Sequence, residues 1–273
     1  MSNALLQAML DMVQAEWAKP EVVWRTARIE GKDLQFLETE CKKVVAFDPK
    51  GWRKEMFERY RAGKAEWEVR ECEHGRVMVI YDNPTQQVPW NIWGRILRLY
   101  GTKHRVYLLA HPALRTFPKG PIQPNHINGG YNYPCNVEAV MVYRAEDATR
   151  VLIHELQHAH CLDCQDDSLD CQEAETEAWA ELLYHAILSE GNKSTFHRRI
   201  KEQAAWMMAQ NEEVRRHMKT PTDFPYRYTI AKEEVWARWG LTKGVRPSTS
   251  AAPRQSLRLT VPKGPDNFFQ TIQ

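Results

Sequence analysis

The stretch His154-Glu155-Leu156-Gln157-His158, led in by Val151-Leu152-Ile153, constrains what this chain can become more than any other part of it. Apolar bulk on both sides of the histidines reads as a buried helix. On a helix, residues four apart lie one above the other, so the two imidazoles reach from one face toward a shared point, and zinc accepts such nitrogens at about 2.0–2.1 Å. Glu155 projects alongside, where a carboxylate can take a proton from water. Glu146 and Asp147 are expected in the first turn, where the helix dipole favours acids.

A catalytic zinc usually takes three protein ligands and leaves a fourth position for water. The next helix, expected over residues 172–188, carries Glu173, Glu175, Glu177 and Glu181. Glu173, Glu177 and Glu181 share one helical face, while Ala178, Leu182 and Leu183 can pack. An acidic helix face is ordinarily just solvated surface. Here Glu177, nineteen positions after His158, is the expected third ligand because of the histidines upstream.

On these residues the segment 140–188 resembles the gluzincin metallopeptidases, in which a second helix supplies a glutamate ligand at nearly this separation. The resemblance covers less than a fifth of the chain. It implies a zincin-like fold, Glu155 as catalytic base, and Glu181 as an acid that orients a ligand histidine. It also implies an oxyanion donor from a later segment; Tyr226 and Tyr228 are the candidates, with His185 and His197 behind them. A metzincin register would put the third ligand at Cys164, but the position where that family turns on a glycine is Cys161. A SprT-like register lacks its downstream His-Gly. Residues 128–133, with Tyr143, Arg144 and Glu146, are also faintly similar to zincin-like proteins of large DNA viruses.

The function expected is therefore that of a zinc-dependent hydrolase, a metallopeptidase acting on a peptide or protein substrate. One alternative is a catalytically inactive zincin-like protein that keeps its metal for structure and serves as a binding or virion component. Another is a helical interaction protein whose motif is accidental.

Three further features bear on the site. Cys161, Cys164 and Cys171, with Cys135 as a fourth member, could hold a second, structural zinc; free thiols or one local disulfide is the plainer reading. Asp163, Asp166, Asp167 and Asp170 could bind calcium or simply be solvated. The run Asn128-Gly129-Gly130-Tyr131-Asn132-Tyr133 is either an edge strand that takes substrate by strand addition or a turn.

Around the motif the chain reads as α+β: a small N-terminal sheet with the active-site helix, followed by a helical C-terminal half. Helices are expected at 4–17, 52–62, 146–160, 172–188, 195–218 and 230–239. Strands are expected at 67–70 and 76–81, joined as a hairpin, and at 106–110 and 139–143, with a breaker-rich loop over 112–134. The expectation is one catalytic domain over 1–242, sheet-containing from 21 to 145 and helical from 146 to 242. A basic, flexible tail is expected over 243–273.

Composition narrows the setting. A net charge of +2 gives no reason to expect nucleic acid as a partner. No run reaches the roughly 18 apolar residues of a membrane span. Asp11 and Glu16 interrupt the start where a signal peptide would be apolar, so a soluble, cytoplasmic protein is expected, or a virion or host-cell one if the viral resemblance holds. Six cysteines, mostly scattered, point to a reducing compartment.

Overall fold

Short β-prone runs, separated by a glycine turn and by helices, assemble into one sheet in a computed structural model that describes residues 3–83, 87–162 and 168–262. In chain order the elements begin with α1 (Asn3–Trp17), β1 (Arg25–Thr26), α2 (Gly31–Lys42) and α3 (Trp52–Arg61). The hairpin β2 (Glu66–Cys72) and β3 (Gly75–Tyr81) follows, then α4 (Trp90–Tyr100), β4 (His104–Leu109), the one-turn α5 (Pro124–Ile127), β5 (Gly130–Tyr131) and β6 (Val140–Val142). The rest is helical: α6 (Ala148–Ala159), α7 (Leu169–Leu188), α8 (Lys193–Arg216), a 3-10 turn (Tyr226–Tyr228), α9 (Ile230–Arg238) and the short α10 (Ala252–Gln255). The architecture is mixed helix and sheet, compatible with the α+β class.

The chain divides into two compact units that interleave in sequence. Among the described residues, one holds Glu21–Ala113 and Asn128–His160; the other holds the N-terminal residues through Pro20, Leu114–Ile127 and residues 161–262. The expected boundary at 145/146 is therefore misplaced. Helix α6 belongs with the sheet because its apolar residues Val151, Leu152, Ile153 and Leu156 are buried and it packs against β6 and β5.

In the sheet unit the strand order is β1-β2-β3-β4-β6-β5. The β2–β3 hairpin is antiparallel, β3–β4 and β4–β6 are parallel, and β5 returns antiparallel on β6 as an edge strand. Alternation along the strands sends Val69, Met78, Ile80, Tyr107, Leu109 and Met141 into a core shared with Leu37 and Cys41 of α2 and Met56 and Phe57 of α3. The alternate residues Val77, Val79, Val106, Leu108, Val140 and Val142 are also buried, so both faces of the sheet are covered. Trp93 of α4 donates its indole N–H to the Thr149 hydroxyl at 2.8 Å, and the Tyr100 hydroxyl donates to the Ile153 carbonyl at 3.3 Å, which ties α4 to α6. The acids expected in the first turn of α6 lie before it. Asp147 is its N-cap, in the left-handed conformation at φ 60°.

Asp33, fully buried, sits between Arg76 of β3 and Arg105 of β4 and joins the starts of these parallel strands to α2. Burial pushes its carboxyl up, but the hydrogen bond from Arg76 and the charges of both arginines hold it below the ordinary aspartate value.

In the helical unit, α7 packs on α1, α8, α9 and the 3-10 turn. Ser168 caps α7 by accepting the Cys171 N–H, which starts the helix three residues before the expected Gln172. Gly191, at φ +74°, lies so close to α1 that a Cβ there would come within 2.6 Å of the Leu10 carbonyl and the Gln14 N–H.

The flexible tail expected from 243 is a correction for its described part. Leu257, Arg258, Leu259 and Thr260 are buried. Gln210 donates to the carbonyls of Ser256 and Arg258, Trp206 donates to Arg258 at 3.0 Å, and Gln203 donates to Leu259 at 2.9 Å and accepts from the Val261 N–H. Side chains of α8 thus satisfy an extended strap, while Leu257 and Leu259 pack with Ile122, Ile127, Val214 and Ile230. Composition hid this because the apolar pair is only two residues within a polar, proline-containing stretch. Residues 263–273 lie outside the described part.

Candidate metal centre

Helix α6 delivers what its spacing implies. The Nε2 atoms of His154 and His158 stand 3.1 Å apart, with the rings edge to face at 4.7 Å between centroids. Two nitrogens bound to one tetrahedral zinc lie about 3.3–3.4 Å apart, so this pair is within a few tenths of an ångström of a ligand pair. Neutral imidazoles at this distance either share one proton or turn both lone pairs to a cation. The donor set fits zinc: two imidazole nitrogens on adjacent turns of a buried helix, with the buried Glu155 beside the first.

The edge strand β5 passes directly over this helix. A Cβ at Gly130 would meet Val151 Cγ1 at 2.6 Å and the Glu155 carboxylate at 2.8 Å, so only glycine permits the approach. The expectation for residues 128–133 left open a strand or a turn; Gly130–Tyr131 is a strand, paired with Val142 and Met141.

Tyr131 holds that strand from the side. Its hydroxyl donates to Glu40 Oε2 at 2.7 Å and accepts from Arg53 at 3.0 Å, while Arg53 stacks on both the Phe47 and Tyr131 rings and pairs with Asp48. Tyr133 and Lys43 complete the shell around Glu40. Burial raises the Glu40 carboxyl, yet the hydrogen bonds from Lys43, Tyr131 and Tyr133 leave it below the ordinary glutamate value. Sequence reasoning missed this clamp, because Glu40, Arg53 and Tyr131 are scattered along the chain and meet only through the fold.

Among the described residues, His154 and His158 are imidazole donors of the sheet unit that could hold a metal ion, and Glu173 is a carboxylate of α7. Glu177, the expected ligand, lies one turn further along α7 and is buried. Glu181 is occupied within the helical unit: it accepts the Thr260 hydroxyl at 2.6 Å and faces His185 at 3.1 Å and the buried Lys232 at 3.4 Å.

Of the expected oxyanion donors, Tyr226 donates its hydroxyl to Glu234 at 2.8 Å, a bond that also raises its pKa. Tyr228 packs against Phe224. His197 lies edge-on to Phe196. For the cysteine cluster, Cys135 and Cys161 are each in a disulfide, whereas Cys171 is not. That takes Cys161 out of the second zinc site suggested by the spacing, since a disulfide sulfur is no thiolate ligand. Cys164, Asp163, Asp166 and Asp167 lie outside the described residues.

The chain matches no family model, and no curated protein or solved structure matches it either. No helix among the described residues is long and apolar enough to cross a membrane.

Proposed function

We propose that this protein is a zinc-dependent hydrolase, a metallopeptidase of the gluzincin kind. The single observation that supports the reading most is the facing of His154 and His158 beside the Glu155 carboxylate, under an edge strand. These two histidines would hold the ion, with a carboxylate of α7 as third ligand. Glu177 is favoured by its spacing from His158, and Glu173 is the other candidate on the same helical face. When bound, zinc would supply a Lewis acid and lower the pKa of a coordinated water toward about 7.

The chain's own residues supply the rest. Glu155 takes a proton from the attacking water and passes it to the leaving amine as the peptide bond breaks. As the last strand of the sheet, β5 is where an extended peptide would add, and the bare Cα of Gly130 lets that strand lie close to Glu155. The Tyr131–Glu40–Arg53 clamp fixes the edge strand, so a paired substrate is held in one register beside the base.

The test is metal analysis of protein made without a histidine tag, together with turnover of a broad peptide library. The proposal expects bound zinc that is lost in His158→Ala, and turnover by the wild type but not by Glu155→Gln. Zinc without turnover would favour a binding or structural role for the same site. Wild-type protein without stoichiometric zinc would end both readings.

A further inference from the structure

A second pair of histidines meets at the far end of α6. The Nε2 atoms of His104, at the start of β4, and His160, the C-cap of α6, stand 2.7 Å apart. The Thr102 hydroxyl lies 3.2 Å from the first and 3.3 Å from the second. Three potential donor atoms thus converge on one point. His160 is two positions beyond His158, which on a helix turns it about 200° away from the His154–His158 face.

The arrangement has the features of a ligand set. His104 Nδ1 lies 3.3 Å from the carbonyl of His74, which fixes the tautomer with Nδ1 protonated and leaves the Nε2 lone pair aimed at His160. A backbone carbonyl orienting the outer nitrogen is the usual support of a metal-bound histidine. The Tyr100 ring backs both, at 5.1 Å from His160 and 6.3 Å from His104. His160 is half-buried and Thr102 is exposed, so the convergence point is open on one side.

We infer that His104, His160 and Thr102 form a second site for a borderline divalent cation of the zinc and copper(II) class, separate from the His154–His158 pair. The donors are imidazole nitrogens and a hydroxyl, which suit these ions better than magnesium or calcium. In the metal-free protein His160 Nε2–H donates to His104 Nε2. Binding moves the His160 proton to its Nδ1, so the ring stays neutral and both Nε2 lone pairs face the ion. The two nitrogens then open from 2.7 Å to about 3.3 Å, a shift that a helix cap and a strand end can absorb. Solvent completes the coordination. Such a site would pin the C-terminal end of α6 to the start of β4.

The experiment is zinc titration of the full chain by equilibrium dialysis with elemental analysis, in the wild type, His104→Gln, His160→Gln, His158→Ala and the His158→Ala/His160→Gln double variant. The inference expects two equivalents in the wild type, one in each single variant and none in the double. Thr102→Ala should weaken the second equivalent without removing it. Unchanged binding in both His104→Gln and His160→Gln overturns the second site. A single equivalent lost in His158→Ala, but indifferent to positions 104 and 160, overturns it while leaving the motif pair standing. A single equivalent lost in His160→Gln but kept in His158→Ala does the reverse. Should a glutamine variant misfold, copper(II) bound to His158→Ala serves instead: its electron paramagnetic resonance spectrum must show two coupled imidazole nitrogens, and their absence overturns the inference.

Discussion

The two histidine pairs, one within α6 and one between its C-cap and β4, look alike at the level of atoms and differ in how they arise. His154 and His158 face each other at 3.1 Å because helical geometry puts them there. His104 and His160 face each other at 2.7 Å across a sequence separation of 56 residues, because a parallel strand begins where the helix ends. The first pair has an acid beside it, Glu155, and an edge strand above it. The second has a hydroxyl, a backbone carbonyl and an aromatic wall. On the proposed reading each pair of imidazoles would define a place for a cation, and what surrounds them would decide whether it does chemistry: a carboxylate base and a backbone edge would equip one for hydrolysis, while the other would only bind.

The largest expected effect sharpens that contrast. Glu155→Gln should lower peptide turnover by about 100- to 10,000-fold while leaving both zinc equivalents in place. Turnover that survives this change would break the comparison, because the motif pair would then be no more chemical than the other. Next come the two carboxylates of α7. Replacing the true third ligand, Glu173→Gln or Glu177→Gln, should weaken zinc at the motif pair by on the order of 100-fold or more, since even outer-shell partners are worth 10- to 100-fold. Competition with a chromophoric chelator would read it, and neither change should touch the second equivalent.

Asp33 probes the ground under the second pair, because it anchors Arg105, the neighbour of His104. Asp33→Asn should cost about 3 kcal/mol in urea unfolding, as breaking a buried ion pair does, and should loosen the second zinc equivalent more than the first. The pH dependence follows from the sign of its shift. With the folded carboxyl below its unfolded value of about 3.9, the unfolded chain takes up the proton first. Asp33's contribution is therefore fully present above about pH 4 and is lost as pH falls through the folded value. Asp33→Asn should flatten that acid limb; an unchanged limb would mean that the arginines do not hold the carboxylate as the geometry indicates.

Gly130→Ala tests the edge strand over the first pair. The added methyl meets Val151 and Glu155, so destabilisation of about 1–3 kcal/mol is expected, with a fall in turnover larger than any change in zinc content. Peptidase activity that is unaffected would separate β5 from the site. The smallest effect is that of Tyr226→Phe, which removes one partly exposed hydrogen bond to Glu234 and should cost about 1 kcal/mol or less in thermal unfolding.

Much of the local structure was legible in advance. The β2–β3 hairpin, β4, β6, α1 and the long helices follow from period-2 and period-3.6 patterning, which needs no distant residue to be read. Helices α2 and α4 escaped. In α2, Asp33 and Glu40 are polar residues that end up buried, which breaks the apolar stripe, and α4 carries Gly94 and Arg95 on its buried side.

By itself the sequence determined the His154-Glu155-His158 arrangement, because one helix and its pitch suffice to aim those side chains. Only the tertiary structure decided the rest: that α6 joins the sheet, that Gly130 lies against Glu155, that Glu40 and Arg53 clamp Tyr131, that the segment 256–261 is a strap, and that His104 finds His160. The reason is range. A helix repeats within a few residues and fixes its own geometry, whereas strand register, edge position and the meeting of residues dozens apart depend on which surfaces the whole chain manages to bury together.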